Sequence, residues 1–168
     1  MDSTEAIDLD ATDLRILAQL QSDASLTNQA LAAVALTSPA TCLRRVKRLE
    51  DAGVIERRIA LLSPAKLGAG LSAVIEVTLD RQGAEHLAAF EARAVAEAPV
   101  QQCYRVSSGP DFILVVQLPD MAAYHALVLR LFTQDANVRN VKTFFSVHRA
   151  KFEPAIPLPS PLDSKPSV

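Results

Sequence analysis

A chain of 168 residues that is 49% apolar can bury one core or two small ones, and its net charge of −2 excludes a protein that is basic over its whole surface. No apolar run approaches a membrane span, and the first twenty residues carry Asp2, Glu5, Asp8, Asp10 and Asp13 where a secretory leader would carry bases and an apolar stretch; a soluble, cytoplasmic protein is expected. Cys42 and Cys103 are the only cysteines and neither has a His or Cys at ligand spacing, so no disulfide framework, metal site or cofactor is expected and both read as small buried hydrophobes.

Charge is unevenly placed. Residues 1–23 hold six acids and one base, whereas residues 38–58 hold six bases and three acids. A local positive field of this kind suits one surface presented to a polyanion.

In chain order, Asp10 can cap a helix over roughly 11–22, with Asp13 as the capping-box acid and Leu14, Leu17 and Ala18 on its apolar stripe. Ser22 to Ser25 breaks it. Thr27 caps a short second helix from Asn28 to about Val34, with Leu31 and Val34 inward, and Leu36-Thr37 forms a tight turn. Ser38 is then a good N-cap and Pro39 suits the first helical position, so a third helix starts there and runs to about Glu50. At 100° per residue, Cys42, Leu43, Val46 and Leu49 share its packing side, while Ala40, Thr41, Arg44, Lys47 and Arg48 share the opposite one and Arg45 lies on the flank. Such a strip is either a solvated charged face or a surface that enters a DNA major groove. Three short helices, the last one basic, form the pattern of a helix-turn-helix.

Gly53 reads as a left-handed C-cap, and Val54 to Leu62 reads as extended, ended by Ser63-Pro64. Arg57 and Arg58 there fit either a charge-protected strand edge or phosphate contact. Beyond it the period changes. Strands at 71–80, 101–107, 112–118 and 138–152 alternate with helices at 84–98 and 120–133, a β-α-β-β-α-β order of the ferredoxin-like class. The first and third strands are apolar on both faces and should be central; both helices cover one face, leaving the other, with Val74 and Phe144, to be covered by a second copy. Residues 153–168 include five prolines and read as a disordered tail. His86 and His125 on helices and His148 on the last strand have no paired nucleophile, and no Gly-rich phosphate loop is present; an enzyme is not expected.

The segments L-D-A-T-D-L-R-I-L-A-Q-L, S-P-A-T-C-L-R-R-V-K-R-L-E-D-A-G-V-I, A-L-L-S-P and V-S-S-G-P-D-F-I-L-V-V-Q-L-P-D-M-A-A-Y, in this order, resemble the Lrp/AsnC transcription factors over about residues 8–152. The resemblance implies an α+β chain: a winged helix-turn-helix with a hinge strand (8–62), then a ferredoxin-like effector-binding and oligomerisation domain, the RAM domain (63–152). It implies double-stranded DNA as partner, a homodimer that assembles to an octamer, and a small effector, usually an amino acid, held between dimers. The family's DNA-reading positions fall on Asn28, Ser38, Thr41, Arg44, Arg45 and Arg48, to which the outward face adds Lys47. Its effector positions fall on Ser107, Ser108, Gly109 and Asp111, with Met121, Phe144, Phe145 and Ser146. Asp111 fits an ammonium partner or an ordinary turn aspartate.

Two positions depart from the family pattern. Ser108 stands where Gly is usual, followed by Gly109 and Pro110, which bears on which effector is bound. Leu36 replaces the Gly common in the helix-turn-helix turn, and is expected to be tolerated because that turn need not hold a positive φ. Sequence-specific regulation is the leading expectation; a sequence-tolerant protein that wraps DNA around an oligomer is the alternative, distinguished by a periodic footprint without a consensus.

Overall fold

The computed structural model describes residues 7–68 and 70–159. They form two compact units: residues up to Leu61 joined by the segment from Phe152, and Leu62–Lys151.

The first unit holds helices α1 (Ala11–Ser22), α2 (Asn28–Val34) and α3 (Pro39–Asp51). Each starts where a side chain satisfies free backbone donors. The Asp10 carboxylate accepts the Thr12 and Asp13 N–H groups at 2.8 and 2.9 Å, and the Asp13 carboxylate accepts the Asp10 N–H at 3.2 Å, a complete capping box. Thr27 and Ser38 cap α2 and α3 through the Ala30 and Thr41 N–H groups. Ile16, Leu17, Leu31, Ala32, Ala35, Cys42, Val46 and Leu49 make the core. Val34 and Leu43, expected inside, are 51% and 61% exposed. The stripe on α3 centres on Cys42, Val46 and Leu49, which leaves Leu43 about a quarter-turn off it; on α2 the alanines Ala32 and Ala35 take the inner position.

Both later helices end in the same motif. After α3, the Gly53 N–H donates to the Glu50 carbonyl and the Val54 N–H to the Leu49 carbonyl, with Gly53 at φ 69°. After α2, the Leu36 N–H donates to Ala33 and the Thr37 N–H to Ala32, and Leu36 sits at φ 57°. The turn does hold a left-handed residue, contrary to expectation, because both carbonyls of the last turn are capped this way.

Residues 54–61 run without a strand partner among the described residues, and Ile59 and Leu61 are exposed. One further expectation fails in this unit. The tail, expected to be disordered from 153, docks as far as it is described: Ile156 donates its N–H to Gln21 Oε1 at 2.7 Å and accepts from Gln21 Nε2 at 3.0 Å, and Leu158 packs on the helical core. A side-chain amide here supplies the backbone pairing that proline-rich chain cannot find in a sheet. Residues 160–168 of that expected tail lie outside the described residues.

The second unit contains β1 (Leu71–Leu79), α4 (Ala84–Ala96), β2 (Val100–Arg105), β3 (Phe112–Leu118), α5 (Met121–Val128) and β4 (Val138–Phe145), with a 3₁₀ turn at Pro64–Leu67 and a π turn at Leu129–Thr133. The antiparallel sheet has the order β2-β3-β1-β4, so the doubly apolar strands are central. One face, with Ala73, Ile75, Val77, Phe112, Leu114 and Val116, is buried with Phe90 and Ala94 of α4 and Leu127 of α5. Val95 is 65% exposed because α4 turns Phe90 and Ala94 inward. β4 stops at Phe145 rather than 152: Phe145 pairs with Ala73, and the last bond runs from the Ser146 N–H to the Ser72 carbonyl, where β1 runs out of strand to pair with.

Candidate nucleic-acid interface and effector cleft

The outward face of α3 is built from its first turn. Ser38 Oγ lies 2.9 Å from Thr41 Oγ1 and accepts the Thr41 N–H, while Asn28 Nδ2 donates to the Pro39 carbonyl at 2.8 Å. Asn28 therefore locks the start of α3 to the start of α2. Arg44 and Lys47 follow on this face, both exposed and neither in an ion pair among the described residues.

Arg45 and Arg48 are different. Arg45 Nη1 lies 2.7 Å from Asp10 Oδ2 and 2.9 Å from Asp13 Oδ1, and Arg48 Nη2 lies 2.5 Å from Asp13 Oδ2. The Asp13 side chain is 2% exposed, so its charge is almost wholly compensated inside the fold. The hydrogen bonds that the Arg45 guanidinium donates to both carboxylates hold it firmly protonated, above its ordinary range. Its Nε is buried and has no acceptor among the described residues, a cost accepted to place the rest of the group. Asp8 and Arg44 complete a cavity of about 350 Å³ around these four residues. Arg58 is tied to Glu50 at 2.7 Å, which favours the structural reading for it; Arg57 is exposed.

Sequence reasoning missed this network. Asp10 and Asp13 were fully explained as capping residues, and the signal that more was intended lay in the opposite charges of residues 1–23 and 38–58. It also missed Arg15, whose Nε donates to the Ala35 carbonyl at 3.1 Å and holds the residue before the strained Leu36.

In the second unit, Asp111 sits at the carboxyl end of β1: its N–H donates to the Val77 carbonyl and its Oδ2 accepts the Leu79 N–H at 2.7 Å. That bond spans two strands and is not the local turn bond expected of a turn aspartate. One carboxylate oxygen is thus committed to the fold. Ser107, Ser108 and Gly109 are exposed beside it, with Gly109 at φ 87°. Phe145 and Ser146 lie at the opposite end of β1, against Ala73 and Ser72, and Phe145 packs edge-on to Tyr124 of α5. Met121 opens α5 next to the end of β3 that pairs with Leu71. One copy of the chain therefore separates the expected effector residues into two groups about 20 Å apart, at ~3.4 Å per strand residue. Phe144 faces the other way, onto the open face of the sheet beside Val74.

This geometry of a three-helix reader and a split βαβ sheet is matched by known proteins. The family model for the Lrp/AsnC ligand binding domain matches residues 72–156, and one for winged helix-turn-helix DNA-binding matches residues 9–56. The chain belongs to the Lrp/AsnC family of transcriptional regulators. It is similar to the leucine-responsive regulatory protein of Rhizobium meliloti, 37% identical over 145 residues, 86% of this chain and 93% of that protein. The leucine-responsive regulatory protein of Escherichia coli K12 is 34% identical, covering 86% of this chain and 88% of that protein. Among solved structures, a transcriptional regulator from Neisseria meningitidis in complex with L-Met superposes with a TM-score of 0.82 at 33% identity, covering 89% of this chain and 97% of that one. An AsnC family regulator from Agrobacterium tumefaciens gives 0.83 at 32%, with the same coverage. This Lrp/AsnC protein is thus a DNA-binding transcriptional regulator with a ligand-binding domain. Among the described residues no helix is long and apolar enough to cross a membrane.

Proposed function

We propose that this family member binds DNA sequence-specifically through the outward face of α3 and answers to an amino acid held between copies of its second unit. The observation that carries the DNA-binding half is that α3 leaves Arg44 and Lys47 unpaired on its outer face while its other cations are tied to carboxylates. In this reading Arg44 and Arg48 contact base edges with Thr41, and Ser38, Lys47 and Arg57 serve the phosphate backbone. Asn28 and Arg45 support the surface from behind.

Two features support the second half. The related regulator from Neisseria meningitidis binds L-Met. The open face of the sheet also carries Val74, Tyr104, Ile113, Val115 and Phe144, an apolar patch that a second copy would cover. Dimers formed sheet to sheet, and dimers of dimers up to an octamer, bring the Ser107–Asp111 turn of one copy to the Met121 and Phe145–Ser146 end of another. The effector cleft is then completed only by assembly. The free Asp111 oxygen pairs with the effector's ammonium, and N–H groups of the Gly109 turn take its carboxylate.

Light scattering and thermal melting of the purified protein with each of the twenty amino acids test this reading. A dimer or octamer whose mass or melting temperature shifts with one amino acid is expected; a monomer, or no shift with any of them, contradicts it.

A further inference from the structure

Asp13 does more than a capping box requires. Its carboxylate accepts three donors: the Asp10 N–H at 3.2 Å, Arg45 Nη1 at 2.9 Å and Arg48 Nη2 at 2.5 Å. Only the first belongs to the cap, and an uncharged asparagine oxygen would serve there. A charged, nearly fully buried carboxylate is costly unless it holds cations, and the two it holds are both on α3. Arg48 remains 45% exposed although one of its amino groups is fixed. Its guanidinium is thus anchored at one amino group while the side chain stays partly open to solvent.

We propose that Asp13 is a positioning residue for DNA specificity: it never touches DNA, but fixes the guanidinium plane of Arg48 for a base edge and withholds the charge of Arg48 and Arg45 from phosphates. The inference rests on the reading of α3 as the recognition surface. Two physical effects follow from one contact. An arginine whose fork is pre-oriented loses less freedom on forming a bidentate contact, which sharpens base choice. A carboxylate within 3 Å of two arginines also offsets the charge they show to the backbone of any duplex, which weakens sequence-independent binding.

The test uses the full chain, a duplex selected by the wild-type protein from a random pool, and a random-sequence duplex of equal length. Asp13→Asn is expected to tighten binding to random duplex, to steepen the dependence of log affinity on log salt by about 0.9 for each arginine released to a phosphate, and to lower the selected-to-random affinity ratio by about fivefold or more. Arg48→Lys, at an exposed position, keeps the charge and removes the fork; it is expected to lower the ratio similarly. In the double variant the two losses should not add. A folded Asp13→Asn protein with the wild-type ratio and salt slope overturns the proposal. If Asp13→Asn does not fold, a wild-type ratio for Arg48→Lys overturns it alone. Arg44→Ala separates the two levels: if that variant also keeps its base preference, the reading of α3 itself has failed, whereas relaxed preference there with no change in Asp13→Asn and Arg48→Lys removes only the role of Asp13.

Discussion

Leu36 holds a left-handed backbone at φ 57°, a conformation in which a Cβ crowds the following carbonyl at a cost of about 1–2 kcal/mol. Nothing in its side chain compensates, since it is 78% exposed. Leu36→Gly should stabilise the helical unit by about 0.5–1 kcal/mol after the extra freedom of glycine in the unfolded chain is counted, read from the denaturant midpoint; a lower midpoint would show that the leucine makes a contact that outweighs the strain. Asp10 supplies a second residue-level expectation. Burial acts to raise its carboxyl pKa, but the Asp13 N–H, the Arg45 guanidinium and the Thr12 N–H outweigh it and hold the group below its ordinary 3.8. A depressed folded pKa contributes stability that is complete above the unfolded value and is lost as pH falls through the folded one. Asp10→Asn keeps the cap and removes the charge, so it should be less stable than wild type near neutral pH and converge with it below about pH 4 in acid titrations followed by circular dichroism.

At the scale of the elements, most of what could be read locally agreed with the structure; the left-handed turn at Leu36 did not. The caps at Asp10, Thr27 and Ser38, the left-handed Gly53 and the two doubly apolar central strands are each set by residues within a few positions of one another. Most of the rest that was missed depended on distant partners. The Arg45 and Arg48 ion pairs cross 32 to 35 residues of chain, and the tail finds Gln21 at a separation of 135. Proline content showed that the tail could join no sheet; it carried no information that a glutamine side chain would accept it. Val34 and Leu43 were misplaced because short helices bury a narrow stripe and flank positions have no fixed fate. The docked tail makes its own prediction. Leu158→Ala should lower the stability of the helical unit by about 1 kcal/mol and raise amide exchange in the last turn of α1, measured by hydrogen exchange; unchanged exchange there would mean that the tail contributes no stability to α1.

For the whole molecule, the fold supplies a DNA-reading surface and a sheet with one open apolar face, and the family supplies the link between them as a ligand-controlled regulator. Of the candidate positions, the outward placement of the α3 residues was legible from helical periodicity, whereas their division into free and tied arginines was not, because periodicity places a side chain on a face without naming its neighbour. The effector positions rest on the resemblance alone, and the structure separates them by the length of β1, which no pattern within one chain could reveal. The measurement that bears most directly on the account is the affinity of Arg44→Ala for a duplex selected by the wild-type protein, against a random duplex, at one fixed salt concentration. The account predicts that the ratio falls by roughly tenfold, within the range of about 1–3 kcal/mol for one bidentate base contact. An unchanged ratio would contradict it, and would place sequence recognition away from the outward face of α3.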